Sequence, residues 1–205
     1  MSMLTGALTV RRYRVDGEAP EGFREIYRDA LNRHAFREPL SPVHKEETLG
    51  WTQAHNLLDT EFDDLDRWVY NHYLLFGLRI DKKALPAKLF KARLEKRMQE
   101  WCGKNNRERC SGRNKEELKE QLEDEMLRQT LPRVAVVEIV WNLAESWVAV
   151  HSQSDLTNDK LRKLFFTTFG LSLVPWTPLD YVADLPEVAV RISSVGTSDL
   201  REGRP

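Results

Sequence analysis

The sequence concentrates positive charge in one segment, where lysine and arginine side chains could neutralise phosphate groups. Residues 79–115 contain 13 basic and 4 acidic residues, although the whole chain of 205 residues has a formal net charge of −1. Contacts to phosphate release condensed counterions, so several such side chains can bind DNA without reading a base. The candidate DNA-binding residues are Lys82, Lys83, Lys88, Lys91, Arg93, Lys96, Arg97, Lys104, Arg107, Arg109, Arg113 and Lys115. Arg79 begins the same block.

The middle of this segment has the spacing of an amphipathic helix. Four apolar residues recur close to the helical period and form one stripe: Phe90, Leu94, Met98 and Trp101. Four basic residues point away from that stripe on a helical wheel: Lys88, Arg93, Lys96 and Arg97. The pattern predicts one face that packs and another that offers cations to solvent. The pattern does not decide whether Trp101, at the polar end of the helix, stacks on a nucleic-acid base or packs in the protein.

The same charges have a second interpretation, a solvated helix face that pairs with an acidic neighbour. Residues 116–125 contain one basic and six acidic residues, and they follow the basic segment directly. Charge runs of this kind often contribute only to solubility. A protein-interaction module whose basic surface binds an acidic partner is therefore one alternative to DNA binding.

A metal-dependent nuclease is the other alternative, because phosphodiester cleavage by two metal ions requires clustered carboxylates. Five carboxylates lie close together in the sequence: Asp59, Glu61, Asp63, Asp64 and Asp66. They show no recognisable ligand spacing, so a solvated acidic turn is the preferred interpretation. The histidines, Cys102 and Cys110 also lack the spacing of a zinc site, and we predict that both cysteines are reduced. We predict no catalytic residue, no metal and no cofactor.

The elements that must position these residues predict an α+β fold. Alternation and β-branched content predict strands at Leu4–Val15, around Gly50, at Trp68–Ile80, at 133–142, at 146–152 and at Leu171–Trp176. Helical spacing and capping residues predict helices starting at Pro20, at Pro86, at Asn114 and at Asp155. This order indicates a body built on a mixed or antiparallel sheet, with an inserted arm of two helices.

We accordingly divide the chain into three parts. Residues 1–85 with 131–182 form the α+β body, residues 86–130 the basic helical-hairpin arm, and residues 183–205 a flexible C-terminal tail. No stretch is long and apolar enough to span a membrane, and the N-terminus lacks the pattern of a signal peptide. We therefore expect a cytoplasmic protein with no membrane partner.

Motifs along nearly the whole chain resemble the recombination-associated protein RdgC family, most clearly between Leu78 and Pro178. They are TVRRYRV near the start, GWT at 50–52, LRIDKK before the arm, LPAKLFKARLEKRM and EELKEQLEDEML within it, the LPR turn at 131–133, the strands through Trp141 and Trp147, and DKLRKLFFTTFGLSLVPWTPLD. The resemblance depends on the order and spacing of these motifs together.

This resemblance implies an RdgC-like fold and a non-catalytic DNA-binding protein with little sequence preference. Members of the family act in recombination and replication, form ring-like homodimers around duplex DNA, and restrain RecA by occupying DNA. We therefore expect a homodimer that binds DNA, with duplex favoured and binding of single strands left as a possibility. We also expect it to antagonise RecA and to be associated with the nucleoid. The family has also carried a nuclease label. Familiar members continue further at the C-terminus, so the resemblance does not decide whether this protein forms a closed ring.

Overall fold

The computed structural model describes residues 8–177, Asp180 and Pro186–Ser194. The helices are α1 (Phe23–Arg33), α2 (Ala87–Lys104), α3 (Gly112–Gln129), α4 (Asp155–Phe169) and α5 (Pro186–Ser194). The strands are β1 (Arg11–Asp16), β2 (Thr48–Thr52), β3 (Val69–Tyr70), β4 (Tyr73–Lys82), β5 (Arg133–Asn142), β6 (Trp147–Val150) and β7 (Ser172–Pro175). The predicted α+β fold is confirmed.

A seven-stranded sheet forms the centre of the fold. Its strands are ordered β2-β4-β5-β6-β1-β7, and β3 pairs with β4 beyond the end of β2. The strand pairs described are antiparallel. The ladder between β4 and β5 runs from Tyr73 opposite Asn142 to Lys82 opposite Arg133. Because β4 and β5 are neighbours, the chain between them leaves and re-enters the sheet at one end.

One face of the sheet packs against α1 and α4. Alternate residues of β4 lie on this face, and Leu74, Phe76 and Leu78 are fully buried there. Tyr27 of α1 and Phe165 of α4 are buried against them. Removal of this apolar surface from water is the main favourable contribution to folding.

Trp141 of β5 lies at the centre of an aromatic cluster in this core. Its ring centroid is 5.1 Å from that of Tyr27, 5.0 Å from that of Phe165 and 5.2 Å from that of Phe169. Aromatic pairs at these distances add to the free energy gained by burial. α4 is thus fixed on the sheet over the range that the sequence predicted, and Gly170 ends it with a φ of 70°.

Gly50 allows a second chain segment to approach β2 closely. A Cβ atom at this position would lie 2.5 Å from the backbone nitrogen of Phe36 and 2.9 Å from the carbonyl carbon of Ala35. The two segments are joined by hydrogen bonds, since Trp51 N donates to His34 O at 3.0 Å and Phe36 N donates to Trp51 O at 2.8 Å. The glycine of the GWT motif is therefore required by backbone packing.

Two N-terminal boundaries differ from the predictions. β1 begins at Arg11 instead of Leu4; residues 8–10 have no regular structure, and residues 1–7 lie outside the described part. α1 begins at Phe23 instead of Pro20, because Gly22 precedes it in the left-handed conformation with a φ of 72°. One turn of the predicted helix is therefore lost.

The segment Trp68–Ile80, predicted as one strand, is a hairpin. β3 and β4 are joined at residues 71–72, where Asn71 has a φ of 61°. A two-residue turn with positive φ is typical of antiparallel hairpins. The prediction was wrong because the run of aromatic and aliphatic residues on both sides conceals this turn.

Two differences concern helices. Ser111, and not Asn114, is the N-cap of α3: its Oγ accepts a hydrogen bond from Asn114 N at 3.3 Å. Pro186–Ser194 forms α5 within the stretch 183–205 that was predicted as a flexible tail, and the other residues of that stretch lie outside the described part. Among the described helices, none has both the length and the apolarity needed to cross a bilayer.

Candidate nucleic-acid interface

The arm, residues 86–130, contains α2 and α3 and connects the adjacent strands β4 and β5. α2 consists largely of strong helix formers such as leucine, lysine, arginine and glutamate. With 18 residues it is about 27 Å long. No residue of α2 is fully buried. Most of the surface of this helix is therefore available to other molecules.

α2 presents cations on its exposed side. Four basic side chains lie there: Lys88, Lys91, Arg93 and Lys96. Phe90, Leu94 and Met98 are half-buried on the side that packs on α3. Trp101 is also half-buried on that side, so it lies apart from the exposed cations.

The connection between the two helices extends this basic surface. Lys104 ends α2, Arg107 and Arg109 lie in the loop, and Lys115 lies in the first turn of α3; all four are exposed. Within the described part of the chain, eight candidate residues have no carboxylate oxygen within 4.0 Å: Lys82, Lys88, Lys91, Arg93, Lys104, Arg107, Arg109 and Lys115. We call these eight residues the unpaired cation set.

Three other candidates have acidic partners within the arm. Arg97 was expected to face solvent but is half-buried beside α3, where it forms an ion pair with Glu125. Arg113 pairs with Glu117 at 3.1 Å, and Lys96 lies 4.0 Å from Glu100 one turn away. The solvated-face interpretation therefore applies to part of the basic segment, above all to Arg97.

Lys82 ends β4 and Lys83 follows it, and the two side chains have different environments. Lys83 Nζ donates to Pro42 O and to Leu127 O, both at 2.9 Å, and so links the body to the end of α3. Lys82 is exposed and lies opposite Arg133 in the ladder. Arg133 is exposed as well and was not among the candidates. Only the pairing of β4 with β5 places it beside the basic segment.

Arg79 is removed from the basic surface. It is buried on β4, forms an ion pair with Asp81, and its guanidinium carbon lies 4.1 Å from the centroid of the Phe36 ring. The hydrogen bond from Arg79 to Asp81 raises the pKa of the guanidinium further above its ordinary value. This residue holds the body together and offers no cation to a ligand.

α3 carries the acidic residues of the arm, and several of them are paired. Besides the pairs with Arg97 and Arg113, Glu123 lies 3.0 Å from Lys45 of the body. Glu116 accepts a hydrogen bond from Lys119 at 2.8 Å, which lowers the pKa of the Glu116 carboxyl and raises that of the lysine. These pairs reduce the negative field that α3 exerts on the cations of α2.

The carboxylates at 59–66 have separate local roles. Asp59 pairs with Arg67 at 2.5 Å, Asp63 accepts a hydrogen bond from Asn32 at 2.8 Å, and Asp64 caps the 3-10 turn at Leu65–Arg67. Among the described residues, no three histidine, cysteine, aspartate or glutamate side chains are grouped as metal ligands would be. The acidic string is thus distributed along a turn instead of converging on one point.

Cys102 and Cys110 are brought together at the end of the arm, which their spacing in the sequence did not indicate. Their sulfur atoms are 3.2 Å apart, and both side chains are half-buried. Burial, followed by the neighbouring Cys102 sulfur, raises the pKa of the Cys110 thiol above its usual value.

Comparison with known proteins links this chain to one family. The family model described as "Putative exonuclease, RdgC" matches residues 9–187, which include the whole sheet, the arm and α4. A comparison with curated proteins found no match.

Proposed function

Because the chain belongs to the RdgC family, we propose that it is a non-catalytic DNA-binding protein that contacts duplex DNA largely without regard to sequence. Membership of the family indicates a role related to recombination. The finer proposal is that the arm binds the phosphate backbone and that the protein restrains RecA by occupying DNA.

The observation that carries the proposal is the unpaired cation set. From Lys88 to Lys104 the axis of α2 covers about 24 Å. Along the duplex axis, one strand of DNA presents a phosphate about every 3.4 Å, and the strand winds around that axis. A straight helix of this length therefore spans a row of several phosphates, of which those on the facing side are within reach. Lysine and arginine side chains on an exposed helix can reach such a row without entering a groove, which supports binding with little sequence preference.

The direct test is fluorescence anisotropy of labelled duplex and single-stranded DNA, titrated with the protein at several salt concentrations and without divalent metal. We expect duplex to bind more tightly, with a log-log dependence of affinity on salt of several units, at about 0.9 per phosphate contact. An absence of binding at low salt would overturn the proposal. Binding only to an acidic protein would favour the protein-interaction alternative.

We further propose that the protein acts as a homodimer in the cytoplasm, associated with the nucleoid. A strand-exchange assay with RecA tests the consequence for recombination. Protein added before RecA should lower the yield of exchange in proportion to the DNA that it covers, and protein unable to bind DNA should leave the yield unchanged. Sedimentation of the free protein measures the oligomeric state.

Nuclease activity is the second candidate function, and the name of the family model favours it. The separate partners of Asp59, Asp63 and Asp64 argue against these residues as a joint metal site. The test is incubation of linear and circular DNA with pure protein and Mg²⁺ or Mn²⁺. DNA that is cut by the wild type but not by the double variant Asp63→Asn, Asp64→Asn would establish this function in place of the first.

A further inference from the structure

The two cysteines of the arm are placed for reaction with each other. Cys102 lies in the last turn of α2, and Cys110 directly precedes Ser111, the N-cap of α3. Their sulfur atoms are 3.2 Å apart, and Cys110 Sγ also lies 3.5 Å from Met98 O. A disulfide bond requires about 2.05 Å between sulfurs, so closure needs a further approach of only about 1 Å.

The surrounding backbone is able to supply this small movement. The connection from 105 to 110 has no regular structure, its residues up to Arg109 are exposed, and it includes Asn106 with a φ of 47°. Neither cysteine belongs to the core cluster of the body. A shift of about 1 Å at this loop therefore disturbs no packed interior.

We propose that Cys102 and Cys110 form a reversible intramolecular disulfide, a redox-sensitive modification site that fixes the end of α2 to the start of α3. The expected co-reactant is a small-molecule disulfide of the glutathione class. Oxidation would close the connection that carries Arg107 and Arg109 with a covalent bond. In the reduced protein the two helices are joined by their packing, by the ion pair between Arg97 and Glu125, and by the connecting backbone, in which Arg107 N donates to Cys102 O at 3.0 Å. The inference does not depend on the proposed function.

The reaction proceeds by two exchanges. One protein thiolate attacks a sulfur of the small disulfide, which forms a mixed disulfide and releases one small thiolate. The second protein thiolate then attacks the protein sulfur of the mixed disulfide and releases the other small thiolate. Two protein thiols are oxidised, the small disulfide is reduced to two thiols, and the two protons pass from the protein thiols to the leaving groups.

The test equilibrates the full chain with graded mixtures of oxidised and reduced glutathione at about pH 8, where more thiolate is present. Thiols are then blocked and the protein is weighed intact. In the wild type both thiols should disappear together, with a mass decrease of about 2 Da and no adduct. A peptide map should join Cys102 to Cys110, and hydrogen exchange in the loop should become slower.

Cys102→Ser and Cys110→Ser are the matched controls, and circular dichroism checks that both fold. Each should take up one glutathione and should need at least about tenfold more oxidised glutathione than the wild type, because the partner thiol is missing. Two glutathione adducts on the wild type, linkage only between molecules, or intact thiols where the single variants react would each overturn the proposal.

Discussion

Arg79 and Asp81, two residues apart on the same face of β4, form a bidentate ion pair inside the body. Arg79 Nε donates to Asp81 Oδ1 at 2.9 Å and Nη2 donates to Oδ2 at 2.7 Å. Only 6% of each side chain is exposed. Arg79 Nη1 also donates to Leu57 O at 3.1 Å. The guanidinium thus donates through all three of its nitrogens to groups of the protein.

Removal of the carboxylate should destabilise the body strongly. In Asp81→Ala the buried guanidinium loses its bidentate partner and keeps only the exposed Glu38 carboxylate, 3.9 Å away. We expect the free energy of unfolding to fall by about 3–5 kcal/mol. The double variant Arg79→Met, Asp81→Leu removes both charges and should recover most of this loss. Urea denaturation measures both effects. A loss below about 1 kcal/mol in the single variant would contradict a structural role for the pair.

Cations of α2 that have no acidic partner should contribute more to DNA affinity than cations that are paired. The triple variant Lys88→Gln, Lys91→Gln, Arg93→Gln should reduce the salt dependence by up to three contacts, at about 0.9 each. The matched control replaces three exposed basic residues of the body: Arg24, Arg33 and Lys163. Anisotropy titrations compare the two variants. Equal losses in both would show that net charge matters and the arm does not.

Arg97→Gln should weaken DNA binding less than Lys91→Gln, because Arg97 already pairs with Glu125. Its main effect is expected on the contact between α2 and α3, although a partly exposed ion pair contributes only about 0.2–1 kcal/mol. Salt titrations of the two single variants provide the comparison. A larger change of slope in Arg97→Gln than in Lys91→Gln would contradict the division between paired and unpaired cations.

Ionisation of Tyr27 should lower the free energy of unfolding at alkaline pH. Burial raises its pKa from the usual 10 to about 12, and its hydroxyl has no hydrogen-bond partner among the described residues. The folded protein holds this proton more tightly than the unfolded chain does. The stability that depends on protonated Tyr27 is therefore complete below pH 10 and is lost as the pH rises towards 12.

The variant Tyr27→Phe removes this titration and an unpaired buried hydroxyl. Near neutral pH it should be about as stable as the wild type. Between about pH 8 and pH 11 the wild type should lose about 1.4 kcal/mol more than the variant. Urea denaturation at the two pH values measures the difference. Equal losses of unfolding free energy in the two proteins would show that a group other than Tyr27 titrates.

Lys83 should hold the base of the arm on the body. Lys83→Met keeps the aliphatic stem but removes the donors to Pro42 O and Leu127 O. We expect faster hydrogen exchange at the end of α3 and little change in the core strands. Lys82→Met, one residue away and exposed, is the control. Unchanged exchange at α3 in Lys83→Met would refute this anchoring role.

The fold was predictable where a periodic pattern had the length of one element. α4, β5 and β6 follow the predicted ranges closely, because alternation or helical spacing there is uninterrupted and Gly170 marks a clear helix end. The hairpin of β3 and β4 was missed because Asn71 turns the chain inside an apolar run. Local patterns carry no information about such a turn when the residues on both sides suit strands.

The charges of the candidate site were predictable, but their partners were not. Residue types place Lys83, Arg79 and Arg97 in one basic block with Lys88 and its neighbours. Packing separates them, since Arg79 faces the interior, Lys83 meets two carbonyl groups and Arg97 meets the acidic helix. Partners from distant segments depend on tertiary structure, which a helical wheel does not contain.

The arm occupies the position at which a simple hairpin turn would join β4 to β5. The last pair of that ladder, Lys82 opposite Arg133, is formed on either side of the insertion. Insertions at such a point cost little, since the entropy of closing a loop grows only slowly with its length. Evolution or a protein engineer can therefore lengthen, shorten or exchange the arm while keeping the sheet unchanged, which makes the body a scaffold for other appendages.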